Sequence, residues 1–258
     1  MRTALCLVLG LAAGTAVAAD QRSFGPFSAD TVELEDFSGE LEVAVVDRPA
    51  IEIRLSATAE DIAAFAATSD GSRLRLRGPQ RTQGSATVVV GGVRVFSRGG
   101  EASVVIGGQP ADRQAPVPRL SLALPRGTAL ELSGIAGEVH VGDTEAPFAL
   151  ALVSGRATVG SVAAARIALS GSGEVQVQAV RERLDAAIDG SGSIVVASGE
   201  VERASLVVRG AGDIRFGGTA RQARAEIAGA GTIVIHAVHE PPEVSVSGAG
   251  RVDIERHP

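Results

Sequence analysis

The chain has 258 residues, with 24 Lys and Arg against 30 Asp and Glu and a formal net charge of −6. This acidic balance argues against nucleic acid as a partner, because phosphate binding needs a basic face. Trp and Tyr, the usual platforms for sugars and bases, are both absent. The only cysteine is Cys6, so the remaining residues offer neither a disulfide nor a thiol ligand.

The first predicted element is an export signal over residues 1–19. It has one positive charge at Arg2, an apolar run from Leu5 to Ala13, and small residues over Ala16–Ala19 that suit cleavage. The apolar run is too short to span a membrane as a helix of about 20 residues. Cys6 is wrongly placed for a lipid anchor. We therefore expect an exported chain that is not a lipoprotein, in the periplasm or outside the cell.

The N-terminal half contains several segments with the alternating pattern of strands, such as FSGELEVAVV over residues 37–46. AEDIAAFAAT, residues 59–68, is the one good candidate for a helix. Residues 79–118 form a Gly-rich insert with two similar fragments, TVVVGG and SVVIGG, which predict a flap or long loop with short strands. The sequence contains no domain linker, so we expect a single β domain over residues 20–258.

Residues 130–257 repeat one phrase, in which two strand-like segments flank a glycine-rich corner. IALSGSGEVQV, residues 167–177, returns four times, and the last copy is VSVSGAGRVDI. The second glycine of each copy, together with the glycines of two weaker copies, gives seven anchors spaced 18, 18, 19, 20, 19 and 19 residues apart. The anchors are Gly137, Gly155, Gly173, Gly192, Gly212, Gly231 and Gly250.

Apolar residues stand two and four positions after each anchor, and four and six positions before the last five anchors. This period of two predicts strands on both sides of the corner. A strand pair from one copy cannot bury its apolar face alone, so the copies must stack. Turns of 18–20 residues predict an all-β fold, a right-handed parallel β-helix with coils about 4.8 Å apart.

The Gly-x-Gly motif has two competing interpretations. It can be a tight corner where positive φ excludes a Cβ atom, or a nest of backbone N–H groups that binds an anion. A dinucleotide loop would need a third glycine and a following helix, and no copy has them. We therefore interpret the seven anchors as structural corner glycines without a cofactor-binding role.

A catalytic β-helix would need acids, or acids with Arg, Lys or His, stacked on an outward face. One position after the anchors stand Glu138, Arg156, Glu174, Ser193, Asp213, Thr232 and Arg251. Acids do not occupy adjacent turns in this column, so no catalytic residue is assigned. His236, His239 and Glu240 have side chains of the kind that bind metals, but the spacing of this segment does not indicate a set of three ligands. No metal and no cofactor is predicted.

The FSGELEV segment, the LALPRG segment and the ladder of GSG and GAG phrases together resemble the GIN head domain family of bacterial envelope proteins, which is described as an autotransporter adhesin head. The resemblance covers about residues 30–255, and the insert over residues 79–118 is the main departure. It implies a right-handed β-helix, export and an adhesin-like role. It implies no catalytic residue.

We therefore expect an exported, non-enzymatic β-solenoid of the cell envelope that binds an envelope glycan or a surface protein, or serves as a scaffold. The alternative is a polysaccharide-degrading β-helix enzyme, a lyase or hydrolase. The last turn carries Arg251, Asp253, Glu255 and Arg256, and charges on an edge strand oppose stacking. We therefore expect a monomer or a small oligomer.

Overall fold

The computed structural model describes residues 19–78, 88–90, 93–98, 101–106 and 116–256. The predicted export signal, except for Ala19, lies outside the described residues, as does part of the insert over residues 79–118. The first half contains β1 (Asp20–Phe27), β2 (Thr31–Glu35), β3 (Ser38–Val46), β4 (Ile51–Ala57), α1 (Ala59–Ala64), β5 (Ala66–Ser69), β6 (Arg73–Arg77), β7 (Val88–Val90), β8 (Val93–Arg98) and β9 (Glu101–Ile106). The second half contains β10 (Arg119–Pro125), β11 (Ala129–Val141), β12 (Phe148–Gly171), β13 (Gly173–Gly190), β14 (Ser193–Gly210), β15 (Asp213–Gly229), β16 (Thr232–Val238), β17 (Glu243–Gly248) and β18 (Arg251–Arg256).

The fold is a parallel β-solenoid of about seven turns, which confirms the predicted β-helix. Strands β11 to β15 each pair in parallel with the next strand along the chain, and the ladder ends with β16, β17 and β18. The pairing joins equivalent residues of successive turns. Gly155 lies opposite Gly173, and Gly190 lies opposite Gly210.

The apolar columns of the repeat form the core of the solenoid. Val175, Ile194 and Phe216 are fully buried, and their equivalents in the other inner turns are nearly so. Burying one Val or Ile side chain contributes roughly 1.5–3 kcal/mol. Several such columns, repeated over the turns, therefore dominate the stability of the ladder, and a slip of one residue would turn each column outward.

The N-terminal end departs from the parallel pattern. β10 pairs in parallel with β3 but antiparallel with β4, and β1 pairs antiparallel with β4. On the other side, β2 pairs in parallel with β6, and β5 pairs antiparallel with β6. The solenoid therefore begins with a small set of antiparallel strands.

Helix α1 covers the core at this end and is shorter than the sequence indicated. Thr58 is its N-cap and accepts a hydrogen bond from the Asp61 N–H at 3.2 Å. Ile62 and Phe65 are 8% and 7% exposed. The predicted helix over residues 59–68 stops at residue 64, because the following residues pair with β6 as strand β5.

The insert contains three strands, β7, β8 and β9, which form a separate antiparallel sheet. The other residues of the predicted flap lie outside the described residues. No helix among the described residues is long and apolar enough to cross a membrane.

Candidate functional site

The repeated corner has two kinds of glycine with different geometries. In the five complete phrases, the positive φ belongs to the first glycine, with values of 118° at Gly171, 145° at Gly190, 126° at Gly210, 141° at Gly229 and 118° at Gly248. L-residues with a side chain rarely adopt such angles. The first glycine is therefore the residue that turns the chain.

The second glycine of the phrase is required for a different reason, the close approach of the preceding turn. A Cβ atom at Gly212 would lie 2.7 Å from the carbonyl oxygen of Gly192, and one at Gly231 would lie 2.2 Å from that of Gly212. The two early anchors combine both constraints, since Gly137 and Gly155 have φ of 127° and 115°. Turns about 4.8 Å apart leave no room for a side chain here.

Backbone N–H groups of the corner already have acceptors. Those of Ser191, Ala211 and Ala230 donate to the carbonyl oxygens of the first glycine one turn earlier, at 3.0, 2.9 and 2.8 Å. The N–H groups of Asp213 and Thr232 donate to the second glycine of the preceding turn, at 3.0 and 3.2 Å. An anion nest needs free N–H groups that converge, so this bonding favours the corner interpretation.

Toward the N-terminal end, the corner lines a groove of about 850 Å³, which we call the corner groove. Small residues and stacked glycines from four turns form much of its lining, together with the segment before β10 and four charged side chains. The small residues and glycines are Ser38, Gly39, Ala136, Gly137, Ser154, Gly155 and Gly173. The other lining residues are Val117, Pro118, Glu40, Glu138, Arg156 and Glu174.

The charged residues of the groove form one column, each directly after a corner glycine. Glu40 lies opposite Glu138, Glu138 opposite Arg156, and Arg156 opposite Glu174. No two acids are opposite each other in this column among the seven anchored turns, but the turn formed by β3 places Glu40 opposite Glu138. Strand β3 adds a turn before the first anchor, and the FSGELEV segment, which repeats the phrase, was the signal for it.

Each charged side chain of the corner groove has a polar neighbour. Glu40 is 2.6 Å from Arg119, Glu138 is 3.2 Å from His140, and Arg156 is 3.2 Å from Glu174. A hydrogen bond from Gln176, followed by one from Arg156, lowers the pKa of Glu174. A general acid needs a pKa near neutral pH, so the lowered pKa disfavours Glu174 as a general acid and favours it as a hydrogen-bond acceptor.

Comparison with known families places the chain. The family described as "Putative auto-transporter adhesin, head GIN domain" matches residues 33–258, which is most of the chain. The chain belongs to this family. A comparison with curated proteins found no match.

Solved structures share the fold of this GIN domain at low sequence identity. A "putative adhesin" from Bacteroides fragilis aligns with a TM-score of 0.60 and 14% identity, over 91% of this chain and 96% of that one. A "putative adhesin" from Parabacteroides merdae has a TM-score of 0.54 and 14% identity, over 93% and 97% of the two chains. A third, from Parabacteroides distasonis, has a TM-score of 0.53 and 15% identity, over 91% and 95%. At this identity the likeness shows the shared fold.

A second concave surface of this GIN domain, of about 820 Å³, lies at another edge of the solenoid and includes Arg221. The Arg221 guanidinium contacts Glu202 and Glu240, both at 3.0 Å, and Gln222 donates to Glu240 at 2.8 Å. The hydrogen bond from Gln222 and then that from Arg221 lower the pKa of Glu240, while Glu240 and Glu202 raise the pKa of Arg221. The cation and its carboxylates satisfy one another here.

The residues with metal-ligand side chains near the C-terminus have separate partners. His236 Nδ1 lies 2.7 Å from Glu255 Oε2, whereas Glu240 contacts Arg221. The backbone N–H of His239 donates to the Ala220 carbonyl oxygen at 3.0 Å. Over residues 19–78 and 116–256, no three His, Cys, Asp or Glu side chains are grouped so that they could hold a metal ion.

Proposed function

We propose that this GIN domain is an exported, non-enzymatic binding module of the bacterial envelope, and that the corner groove holds an extended segment of an envelope glycan or surface protein. The family and the structural neighbours are described as adhesins, which supports an adhesin-like role at the cell envelope or surface. In this proposal residues 1–19 direct export and are removed, and the mature chain acts in the periplasm or outside the cell.

The observation that carries the proposal is the lining of the corner groove. Over four successive turns the groove presents glycines and small residues, so a chain-like partner can approach the backbone closely beside the charged side chains. Charged groups repeat beside it at the strand spacing of about 4.8 Å. Glu40, Glu138 and Glu174 accept hydrogen bonds from hydroxyl or ammonium groups, and Arg156 donates them. Such a row suits a polymer with regularly spaced polar groups.

The test measures how much of the exported chain each polymer of a bacterial and plant polysaccharide panel retains, and whether new chain ends form. Ser154→Trp fills the corner groove. Ala211→Trp is the matched control, because Ala211 occupies the equivalent corner position three turns later, outside the groove. We expect retention without new ends, lost in Ser154→Trp and kept in Ala211→Trp. Loss in both variants or in neither would contradict the groove as the binding site.

The register pair of Glu40 and Glu138 favours the alternative, a polysaccharide-degrading enzyme, because glycoside hydrolysis uses two nearby carboxyl groups. These side chains are 40% and 51% exposed, whereas a catalytic acid is usually kept protonated by an apolar pocket. The same assay decides between the two functions. New chain ends that disappear in Glu138→Gln would establish the enzyme and overturn the binding module.

A further inference from the structure

The last turn of the solenoid leaves part of the apolar core open. Val244 and Val246 on β17 are 49% and 44% exposed, whereas Ala225 and Ile227, their partners one turn earlier, are each 1% exposed. In the part of the chain that the structure describes, β17 pairs only with β15, and β18 pairs only with β16. Exposed apolar side chains and unpaired strand edges thus occur together, which is the pattern of a pairing surface.

The backbone of β18 shows which of its polar groups are free to pair. The Arg251 N–H donates to the Gly231 carbonyl oxygen on the preceding turn at 3.0 Å. Successive residues of a strand direct their N–H and C=O groups to opposite sides. The backbone groups of Val252 and Ile254 therefore point to the free edge, while those of Asp253 point to β16.

We propose that β18 pairs antiparallel with β18 of a second copy of this chain, about a twofold axis that passes through Asp253. In this register Val252 of each copy exchanges both backbone hydrogen bonds with Ile254 of the other. Arg251 of each copy lies opposite Glu255 of the other, so two cross-strand ion pairs form. Charges on an edge strand oppose pairing in most registers, but in this register Arg251 and Glu255 attract across the interface. The edge is therefore complementary to itself in charge, apolar contact and hydrogen bonding, as a twofold interface requires.

Neighbouring registers fit less well. A shift of two residues in one direction places Val252 opposite the charged Arg256, and Asp253 opposite Glu255. A shift in the other direction pairs Arg251 with Asp253, but it places Ile254 opposite Gly250 and leaves Glu255 without a charged residue opposite it on the second copy. The proposed register has one unfavourable contact, between the two Asp253 carboxylates on the axis. Arg251 of the same chain lies 3.3 Å from each and reduces the repulsion.

Among the strands that the structure describes, the N-terminal end of the solenoid offers no comparable edge, so assembly stops at two copies. The outer strand β1 has a register shift between Phe24 and Phe27, and Pro26 within it lacks an N–H. The other outer strand, β5, has only 4 residues. Short, irregular and proline-containing strands are the usual protection of an edge. A tail-to-tail dimer would carry two corner grooves, and a polymer that reaches both would be held more tightly than by either.

Sedimentation equilibrium of the exported chain tests this proposal, with charge reversal at the two ends of the register. We expect a reversible dimer of the unchanged chain. Glu255→Arg or Arg251→Glu alone should raise the dissociation constant at least about tenfold, because each turns two ion pairs into repulsions. An equimolar mixture of the two variants should form a heterodimer of affinity near that of the unchanged chain, since opposite charges again face each other.

Asp253→Asn provides a variant that should act in the opposite direction. It removes the facing carboxylates, and we expect it to tighten the dimer several-fold. A chain that stays monomeric at the highest soluble concentration would overturn the proposal, as would filaments. A parent dimer whose two charge variants fail to associate when mixed would overturn the register, even if each variant remains folded by circular dichroism.

Discussion

The stacked apolar core of this solenoid terminates differently at its two ends. Both ends interrupt a column of apolar side chains that is otherwise continuous from turn to turn. At the N-terminal end the chain adds antiparallel strands and helix α1, which bury Ile62 and Phe65. At the C-terminal end the last strands have a regular register and leave Val244 and Val246 partly exposed. The difference indicates that the chain itself covers the core at the N-terminal end. At the C-terminal end the proposed partner, a second copy, pairs with the last strand.

Between the ends, a substitution at the crowded corner should lower the free energy of unfolding more than the other substitutions considered below. Gly229→Ala places a Cβ atom 2.0 Å from the Gly210 carbonyl oxygen at a φ of 141°, and we expect a loss of more than about 4 kcal/mol in the free energy of unfolding. Gly71→Ala is the matched control near the other end. Its φ is 97°, but nothing lies within 4 Å of the new Cβ atom.

The expected cost of Gly71→Ala is about 1–3 kcal/mol from backbone strain alone. Equal losses of unfolding free energy for the two variants, measured by denaturant titration, would mean that close packing between turns is unimportant at the corner. Arg215→Ala, on the exposed outward face of β15, should change stability by less than about 0.5 kcal/mol.

The closed end and the open end should respond differently to truncation of an apolar side chain. Phe65→Ala should cost about 3–5 kcal/mol, because the ring is 7% exposed and its removal leaves a cavity. Val246→Ala should cost less than about 1 kcal/mol in the monomer, since the side chain is already 44% exposed. Denaturant unfolding at a concentration where the chain is monomeric separates the two. Similar costs would contradict the contrast between the ends.

The helix cap at the closed end should have a smaller effect. Thr58→Ala removes the side-chain acceptor for the Asp61 N–H, and we expect a loss of about 1 kcal/mol. Thr58→Ser keeps the acceptor and serves as the control. If the two variants unfold at the same denaturant concentration, the cap does not hold α1 over the core.

The smallest expected effects on stability come from two carboxylates with a lowered pKa, one toward each end. Backbone N–H groups of Arg73 and then Ser72 lower the pKa of Asp70 from its ordinary value of 3.8, whereas side chains of Gln222 and then Arg221 lower that of Glu240 from 4.5. A lowered pKa adds stability that is present above the unfolded-state pKa and is lost as pH falls through the folded-state pKa.

We therefore expect Asp70→Ala and Glu240→Ala to differ from the unchanged chain above about pH 5, and to converge with it as the pH falls below the ordinary values. Added salt should reduce the difference for Glu240→Ala more than for Asp70→Ala, because ion pairs between exposed side chains are screened. Thermal unfolding at several pH and salt values measures this. A difference that grows on acidification would reverse the assigned sign.

The sequence predicted the ladder well because its repeat carries both spacing and side-chain alternation. Columns such as Val175, Ile194 and Ile214 specify which face is buried and which residues stack. The N-terminal end was less predictable, because its antiparallel pairs join distant segments that share no phrase. Ala66 and Ala67 favour a helix, and only the pairing of Ala66–Ser69 with β6 makes the segment a strand.

The candidate site was predictable only in part. The column of outward charges could be derived from the anchors. The position of Glu40 opposite Glu138 could be derived only by counting FSGELEV as a further turn. Which glycine of the phrase has positive φ also could not be derived, since both corner residues are glycine and only backbone geometry separates them. The exposure of Val244 and Val246 depends on which strands lie beside β17, which no local pattern encodes.

Hydrogen exchange at single amides, followed as protein concentration rises, tests the contrast between the ends most directly. We expect the amides of Val252 and Ile254 to exchange rapidly in the monomer and to become protected on dimerisation, while that of Asp253, directed at β16, is slow throughout. Amides of β1 should not respond to concentration. Unchanged exchange at Val252 and Ile254, or new protection in β1, would contradict a closed N-terminal end and a self-pairing C-terminal end.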